Sequence, residues 1–249
     1  FLLILGLFFN LIFLILLIRS YNLKKLILYI SSSQLGFTLI AVGLKLYSAA
    51  VFHFFTSIIS LIILSLSFGI ITSKLDDEQD IRKMGSLIIK CPFMFLFILI
   101  GFVSLLGIPY FSGYYSNQLL LLSSSLSNED SYFLFITSCF INTFIISYVS
   151  FKIIFIVFLG QNNCNIHLYN KIEEGPYYLK FILFVLSIFV VFSGWYFNNL
   201  FAGNNSNLWI LVLTSDINFF INDNINSDQW LFDSRYIICY FGMFFAFLN

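Results

Sequence analysis

The sequence predicts an all-α fold, a polytopic membrane helix bundle of about seven crossings. Apolar residues make up 60% of the 249 residues and charged residues only 10%, whereas a soluble domain carries about 25% charged residues. Several apolar runs reach the roughly 20 residues that a helix needs to cross the hydrocarbon core. Alternation with period two does not recur, which argues against a membrane barrel. Membrane lipid is therefore the expected surroundings of the chain.

The crossings are predicted from the apolar runs in chain order. They cover residues 1–18, 26–44, 48–72, 87–108, 131–159, 178–197 and, more weakly, 236–248, and 119–126 is a half-length piece. Polar connectors are predicted at 160–177 and at 202–235. Within the second connector, residues 208–220 are expected to lie at the membrane interface or to dip inward.

The fourth run is interrupted between Gly107 and Gly113, with Pro109 between them. Proline removes a backbone donor and glycine frees the backbone, so a continuous helix is not expected here. Unpaired backbone inside a membrane is tolerated only against protein or a wet cavity. The segment therefore predicts either a discontinuous helix whose ends face an ion path or a plain loop between two helices.

Threading the chain through these spans separates its charges. Nine basic residues fall on one face: Arg19, Lys24, Lys25, Lys74, Arg82, Lys83, Lys90, Lys171 and Lys180. The connectors of the other face hold only Lys45 and Arg235 as basic residues, together with several acids. Because such a bias orients membrane helices, the basic face is predicted to be the cytoplasmic or matrix side.

Polar side chains form a stripe on the third span. Its members are spaced for one helix face and are His53, Thr56, Ser57, Ser60 and Ser67. One interpretation is a hydrated track for protons, since a neutral imidazole relays protons well. The other is a helix contact, because small hydroxyl residues let membrane helices pack closely. The second span presents a similar edge with Ser31, Gln34 and Thr38.

Composition and motifs also exclude several functions. The net charge is zero, which argues against nucleic acid as a partner. The four cysteines are far apart and lack metal-ligand spacing. Glycine-rich nucleotide motifs, a flavin site and iron–sulfur cysteine patterns are absent from the sequence. We therefore predict no cofactor, no metal and no redox chemistry in this chain.

Four short motifs, at residues 22–25, 31–36, 76–85 and 107–116, resemble chain five of mitochondrial NADH–ubiquinone oxidoreductase, an antiporter-like membrane subunit of complex I. The resemblance implies that residues 1–160 form the second five-helix repeat, with its broken helix near 107–113. Residues 161–249 would be a divergent transmembrane region. It implies the mitochondrial inner membrane and other membrane-arm subunits as partners, with the preceding helices supplied by a separate chain or a missing segment.

The resemblance also implies site residues. The proton-path candidates are His53, Thr56, Ser57, Ser60, Ser116 and Asn117, and the interface loop contributes Asp80, Arg82 and Lys83. Leu61 and Asn117 stand where that family keeps a lysine, and neither residue titrates. The predicted function is therefore a structural or pumping-impaired part of the proton-translocating NADH:ubiquinone reductase. Two alternatives remain: an active conduit through His53 and water, or a subunit of a stand-alone cation/proton antiporter.

Overall fold

The computed structural model of the chain describes residues 1–124, 129–164, 169, 174–201 and 229–248. Within these ranges the chain forms eight α-helices and no strand, which confirms the predicted all-α class. The helices are α1 (Leu2–Arg19), α2 (Leu23–Gly43), α3 (Tyr47–Lys74), α4 (Pro92–Leu106), α5 (Ser112–Ser124), α6 (Glu129–Ile153), α7 (Tyr177–Phe201) and α8 (Gln229–Leu248). A π-helical turn, Ile154–Leu159, continues α6.

The described helices include five candidate membrane spans and two shorter apolar helices. Five are long and apolar enough to span a membrane: α1, α2, α3, α6 with its π-helical continuation, and α7. The shorter apolar helices are α4 and the Ser234–Leu248 part of α8, and α5 follows α4 after a break. Large apolar side chains of α7 point away from the protein, as a lipid-facing helix requires; Phe181 and Trp195 are examples. The predicted polytopic bundle is confirmed.

Two predicted boundaries are wrong for identifiable reasons. The fourth span does not begin at residue 87, because α4 begins at Pro92, a residue without an amide hydrogen that suits the first turn of a helix. The last span was predicted to begin at residue 236, but α8 begins at Gln229. Arg235 therefore lies inside a helix and not in a connector. Residues 208–220 lie outside the described ranges.

Helices α1 and α2 pack closely through small residues. A Cβ atom on Gly36 would lie 2.8 Å from the backbone nitrogen of Asn10, and one on Gly6 would lie 2.8 Å from that of Ile40. The side-chain amide of Asn10 donates to the carbonyl oxygen of Ser33 across this contact, at 3.2 Å. Small residues that let backbones approach are the usual means of helix association in membranes.

The predicted interface loop, residues 76–85, is joined to the turn between α1 and α2. The backbone N–H of Ile81 donates to Tyr21 O at 3.0 Å, and Asn22 Nδ2 donates to Gln79 Oε1 at 3.0 Å. The guanidinium carbon of Arg82 lies 4.2 Å from the centroid of the Tyr21 ring, a cation–π geometry. Two motifs that are more than 50 residues apart in sequence therefore form one surface.

The loop contains two ion pairs at the protein surface. Arg82 Nη2 lies 3.2 Å from Asp80 Oδ2, and Lys83 Nζ lies 3.1 Å from Glu78 Oε1. The hydrogen bond from Arg82 lowers the pKa of Asp80 from its ordinary value of 3.8. The stabilisation from this pair is therefore present above pH 3.8 and is lost as the pH falls through the lower, folded-state pKa.

We expect Arg82→Ala to destabilise the loop more than Lys83→Ala. Both side chains are 61% exposed, so exposure does not distinguish them. Arg82 connects Asp80 to Tyr21, whereas Lys83 pairs only within its own loop. The measurement is the thermal stability of the purified protein at pH 7, where the effect of Arg82→Ala is expected to be small but resolvable. Equal shifts for the two variants would contradict a bridging role for Arg82.

Candidate functional site

The candidate site is built around the break between α4 and α5. Helix α4 ends at Leu106, and Gly107 follows with φ 72°, a left-handed conformation that suits glycine. The N–H of Gly107 donates to Ser104 O at 3.0 Å, and that of Ile108 to Val103 O at 3.2 Å. These two bonds close the last turn of α4. Pro109 then keeps the helix from resuming at once.

The two halves of the broken helix overlap side by side. Gly113 lies against the backbone of Ser104, and the side chain of Asn117 lies against Gly107. The later residue of α5 contacts the later residue at the end of α4, so the two helices run in the same direction. The segment is therefore the predicted discontinuous helix and not a plain loop. It brings polar residues of α5 to the end of α4, inside the bundle.

A buried histidine on α3 faces the start of α5. His53 is 4% exposed, and its two ring nitrogens contact different helices. Nε2 lies 3.1 Å from Gln34 Oε1 on α2, and Nδ1 lies 3.3 Å from Ser116 Oγ on α5. Thr56 Oγ1, one turn along α3, lies 2.9 Å from the same serine hydroxyl. Three helices thus share one hydrogen-bond network.

The acceptor on Gln34 selects the tautomer of the neutral His53 ring. An amide oxygen only accepts, so Nε2 carries the hydrogen and donates to Gln34 Oε1. Nδ1 is then an acceptor for the hydroxyl of Ser116, which itself can accept from Thr56. The network can therefore orient a proton toward His53. Its partners are neutral, so it holds no counter-charge for a protonated ring.

A second hydroxyl chain joins α3 to both halves of the break. Ser60 Oγ lies 2.8 Å from Ser104 Oγ, and Ser104 Oγ lies 3.1 Å from Ser112 Oγ. All three residues are buried. Ser104 and Ser112 were not predicted as site residues, because neither lies on the striped face of the third span. The signal available in the sequence was their position just before and within the 107–113 break.

Other predicted path residues are not joined to these chains. Ser57 Oγ donates to Phe54 O of its own helix at 2.9 Å, and Ser67 Oγ to Ile63 O at 2.7 Å. Back-bonding of this kind is common for serine and threonine in membrane helices. The stripe on α3 is therefore a proton-path candidate only over its first half, at His53, Thr56 and Ser60.

Leu61 lines an apolar cavity between α2, α3, α4 and α6. This apolar cavity leaves no room for a water molecule. Its lining is entirely apolar and consists of Leu23, Leu26, Ile27, Ile30, Leu61, Leu64, Phe68, Phe102 and Ile153. Empty cavities of this character stay dry. Among the described residues, no titratable side chain lines this cavity.

Asn117 lines a separate, partly polar cavity beside the break. This cavity leaves room for about one water molecule. Its lining combines residues of the broken helix with residues of α8: Leu106, Gly107, Tyr114, Asn117, Gln118, Arg235, Tyr236 and Cys239. Arg235 is only 8% exposed. A cation from a distant part of the sequence thus shares the cavity of the predicted site residue Asn117.

Arg235 was not predicted as a site residue, because the predicted last span began at residue 236, one residue after it. The signal was present: Trp230, Leu231 and Phe232 precede Arg235 and are apolar, so the helix could be extended backward. An arginine inside that longer helix would then have required an explanation. A charged residue within a membrane helix is by default a functional-site hypothesis.

The predicted interface loop lies far from this site. His53 and the loop are separated by most of α3, and the 21 residues from His53 to Lys74 span about 30 Å. Asp80, Arg82 and Lys83 therefore belong to the basic face and not to the helix break. In the described part of the chain, no three histidine, cysteine or acidic side chains come together as metal ligands.

A helix bundle that surrounds a broken helix, with a buried polar network at the break, is an architecture typical of membrane transporters. Residues 1–146 match the family model described as NADH:quinone oxidoreductase/Mrp antiporter, TM. That match covers more than half of the chain. The protein therefore belongs to the NADH:quinone oxidoreductase/Mrp antiporter transmembrane family.

Three relatives named NADH-ubiquinone oxidoreductase chain 5 illustrate the similarity. The chain is 32% identical to that of Acanthamoeba castellanii over 213 residues, 85% of this chain and 31% of the relative. It is 31% identical to that of Chondrus crispus over 238 residues (91% and 35%), and 38% identical to that of Allomyces macrogynus over 184 residues (71% and 28%). The chain thus spans about a third of the length of the relatives it matches.

Proposed function

We propose that the chain is a membrane-arm subunit of respiratory complex I and contributes no redox chemistry of its own. The chain 5 names of the relatives support this proposal over a stand-alone cation/proton antiporter. The family match over residues 1–146 is common to both classes. The enzymatic activity, NADH:ubiquinone reduction coupled to proton translocation, belongs to the assembly. Its setting is the mitochondrial inner membrane, among other membrane-arm subunits.

Within that assembly, the chain is a structural, pumping-impaired copy of the antiporter-like repeat formed by residues 1–160. The observation that carries this proposal is the dry apolar cavity around Leu61. Leu61, which lines this cavity, directly follows Ser60, the α3 residue of the second hydroxyl chain. A proton held at His53 or Ser60 has no neighbouring titratable group or water through which to continue toward the basic face. The remaining polar groups hold the helices together.

A second candidate function, an active conduit, is favoured by the network itself. His53, Thr56 and Ser116 form a connected set of groups that can exchange protons, and imidazole suits that task at physiological pH. Water entering between Ser60 and Ser67 would be needed to complete the route. The proton-to-electron ratio of His53 variants distinguishes the two candidates.

Membership of the complex is tested by purification. An affinity tag on this chain, placed at an exposed end and used in the organism that expresses it, should recover NADH dehydrogenase activity together with other membrane-arm subunits. A tag on an unrelated multi-pass protein of the same membrane is the control. Recovery of the chain in quantity without that activity would contradict the proposal. Cation-driven proton exchange by the isolated chain in vesicles would favour the antiporter instead.

A further inference from the structure

A surface groove lies where α1 ends and α2 begins, beside the interface loop. Its lining consists of Leu16, Arg19, Ser20, Tyr21, Asn22, Lys25, Tyr29, Asp80 and Arg82. Three of these side chains are cations and one is a carboxylate. Arg82 Nη2 lies 3.2 Å from Asp80 Oδ2, so the carboxylate of the groove wall is already paired. The lining therefore carries an excess of positive charge, at Arg19 and Lys25.

The ring of Tyr21 brings two cations from other parts of the chain to this groove. The guanidinium carbon of Arg82 lies 4.2 Å from the ring centroid, and Lys152 Nζ lies 4.4 Å from it. Both distances are typical of cation–π contacts. Lys152 comes from the last turn of α6, and a long lysine side chain can carry its charge toward the membrane surface. Cations from α1, α2, α6 and the interface loop thus lie in or beside one groove.

The groove runs from a charged end toward the apolar part of two candidate membrane spans. Arg19 is the last residue of α1, and α1 and α2 are both long and apolar enough to cross a membrane. Its other end is reached at Leu16 on α1 and at Tyr29, which lies about 9 Å along α2 from the first residue of that helix. Ile15 and Leu28 are exposed on the same helices. A molecule with an anionic head and apolar chains matches both ends.

We propose that this groove binds an anionic phospholipid of the surrounding bilayer by its headgroup phosphate. Arg19 and Lys25 contact the phosphate, and the phenol of Tyr29 donates a hydrogen bond to the glycerol or phosphate oxygens below it. Basic pockets between membrane helices are the usual binding sites for anionic headgroups. Only a membrane crossing by α1 and α2 is required, so this site is independent of the proposed function.

Removing the two excess charges of the groove tests the proposal. The groove variant carries Arg19→Gln and Lys25→Gln. The matched control carries Lys24→Gln and Lys83→Gln, which remove two exposed cations that do not line the groove. Each protein is purified in mild detergent with the partners that it retains, depleted of lipid, and titrated with phosphatidylglycerol at about 0.15 M salt. Native mass spectrometry counts the lipid bound per chain.

We expect the groove variant to bind phosphatidylglycerol at least about tenfold more weakly than wild type, because each basic residue near an anionic headgroup contributes to binding. The control should stay within about threefold of wild type. A swap of the two cations, Arg19→Lys with Lys25→Arg, keeps both charges and should also stay within about threefold. If the groove variant does not accumulate, Lys25→Gln alone is titrated, with a loss of about fivefold expected.

Two further probes distinguish a lipid from a free anion. Phosphatidylcholine has the same phosphate but no net charge, and it should bind wild type more weakly than phosphatidylglycerol. Inorganic phosphate has the charge but no chains, and at millimolar concentration it should not displace phosphatidylglycerol. Complete displacement by inorganic phosphate would overturn the proposal in favour of a free-anion site. Equal binding of the two lipids by wild type would also overturn it.

The comparison of groove variant and control provides the remaining contrary outcomes. Equal affinities of these two proteins for phosphatidylglycerol would show that Arg19 and Lys25 do not hold the headgroup. Equal anionic lipid contents in the preparations before lipid depletion would show that acidic side chains of a partner, and not lipid, cover the groove. A lower content in the groove variant alone is the result that the proposal predicts.

Discussion

Replacing Gly113 with alanine is expected to abolish stable packing of the broken helix. A Cβ atom at this position would overlap the carbonyl oxygen of Ser104 and lie 2.9 Å from its carbonyl carbon. Both are backbone atoms of α4, so no side chain can move aside. Overpacking of this kind typically costs about 1–3 kcal/mol and occasionally more, and we expect at least the upper value. The measurement is the thermal stability of the purified protein and its yield from the membrane.

Gly69→Ala is the matched control for this variant. Gly69 also lies in an apolar membrane helix, but a Cβ atom there would meet nothing within 4 Å. Alanine is the better helix former, so this control should be neutral or slightly stabilising, by less than about 1 kcal/mol. Similar behaviour of the two variants would show that α4 and α5 do not approach each other as described.

Leu61→Lys is expected to reduce assembly and not to create a proton route. The new ammonium group would enter a cavity lined only by apolar side chains, with no room for water. Lysine near the centre of a membrane helix costs about 2.5–3.5 kcal/mol on insertion scales, and no acid lines this cavity to reduce that cost. The amount of chain in the native complex should therefore fall by about tenfold or more.

The control is Leu61→Met, which conserves volume and polarity and should cost less than about 1.5 kcal/mol. Assembly and proton pumping are measured on the same preparations. A Leu61→Lys variant that assembles normally and raises the number of protons moved per NADH would contradict the account. Such a result would mean that the cavity fills with water once a charge is present.

Much of the fold could be predicted because lipid imposes simple rules. Apolar run length identified the five candidate membrane spans and the two shorter apolar helices, and Gly107, Pro109 and Gly113 identified the break. Boundaries that depend on a specific residue were less predictable. Helix α4 begins at Pro92, and that start is set by the proline itself. Helix α8 begins at Gln229, within a stretch whose average hydropathy is lowered by the polar connector before it.

The site was predicted only in part, because spacing along one helix does not reveal partners on others. All five residues of the stripe on α3, His53, Thr56, Ser57, Ser60 and Ser67, are buried. The stripe could not indicate that Ser104 and Ser112 complete one chain, or that Ser57 bonds within its own helix. The position of Arg235 beside Asn117 depends on how α8 packs, more than 100 residues away in sequence.

Together, these features separate two properties that a shared fold can combine. The broken helix and its close contact at Gly113 belong to the architecture of a transporter. Under the proposed function, the apolar cavity at Leu61 interrupts the polar route along α3. We therefore expect the chain to matter for assembly and not for the number of protons moved.

The most direct test is the number of protons pumped per NADH oxidised by the native complex in sealed vesicles, with His53→Leu compared with wild type. His53→Gln, which keeps a hydrogen-bonding side chain, controls for the loss of the contacts to Gln34 and Ser116. The account predicts that all three preparations give the same ratio, even if His53→Leu lowers the yield of complex. A lower ratio in both variants, at normal NADH oxidation, would contradict it and establish His53 as part of a working proton route.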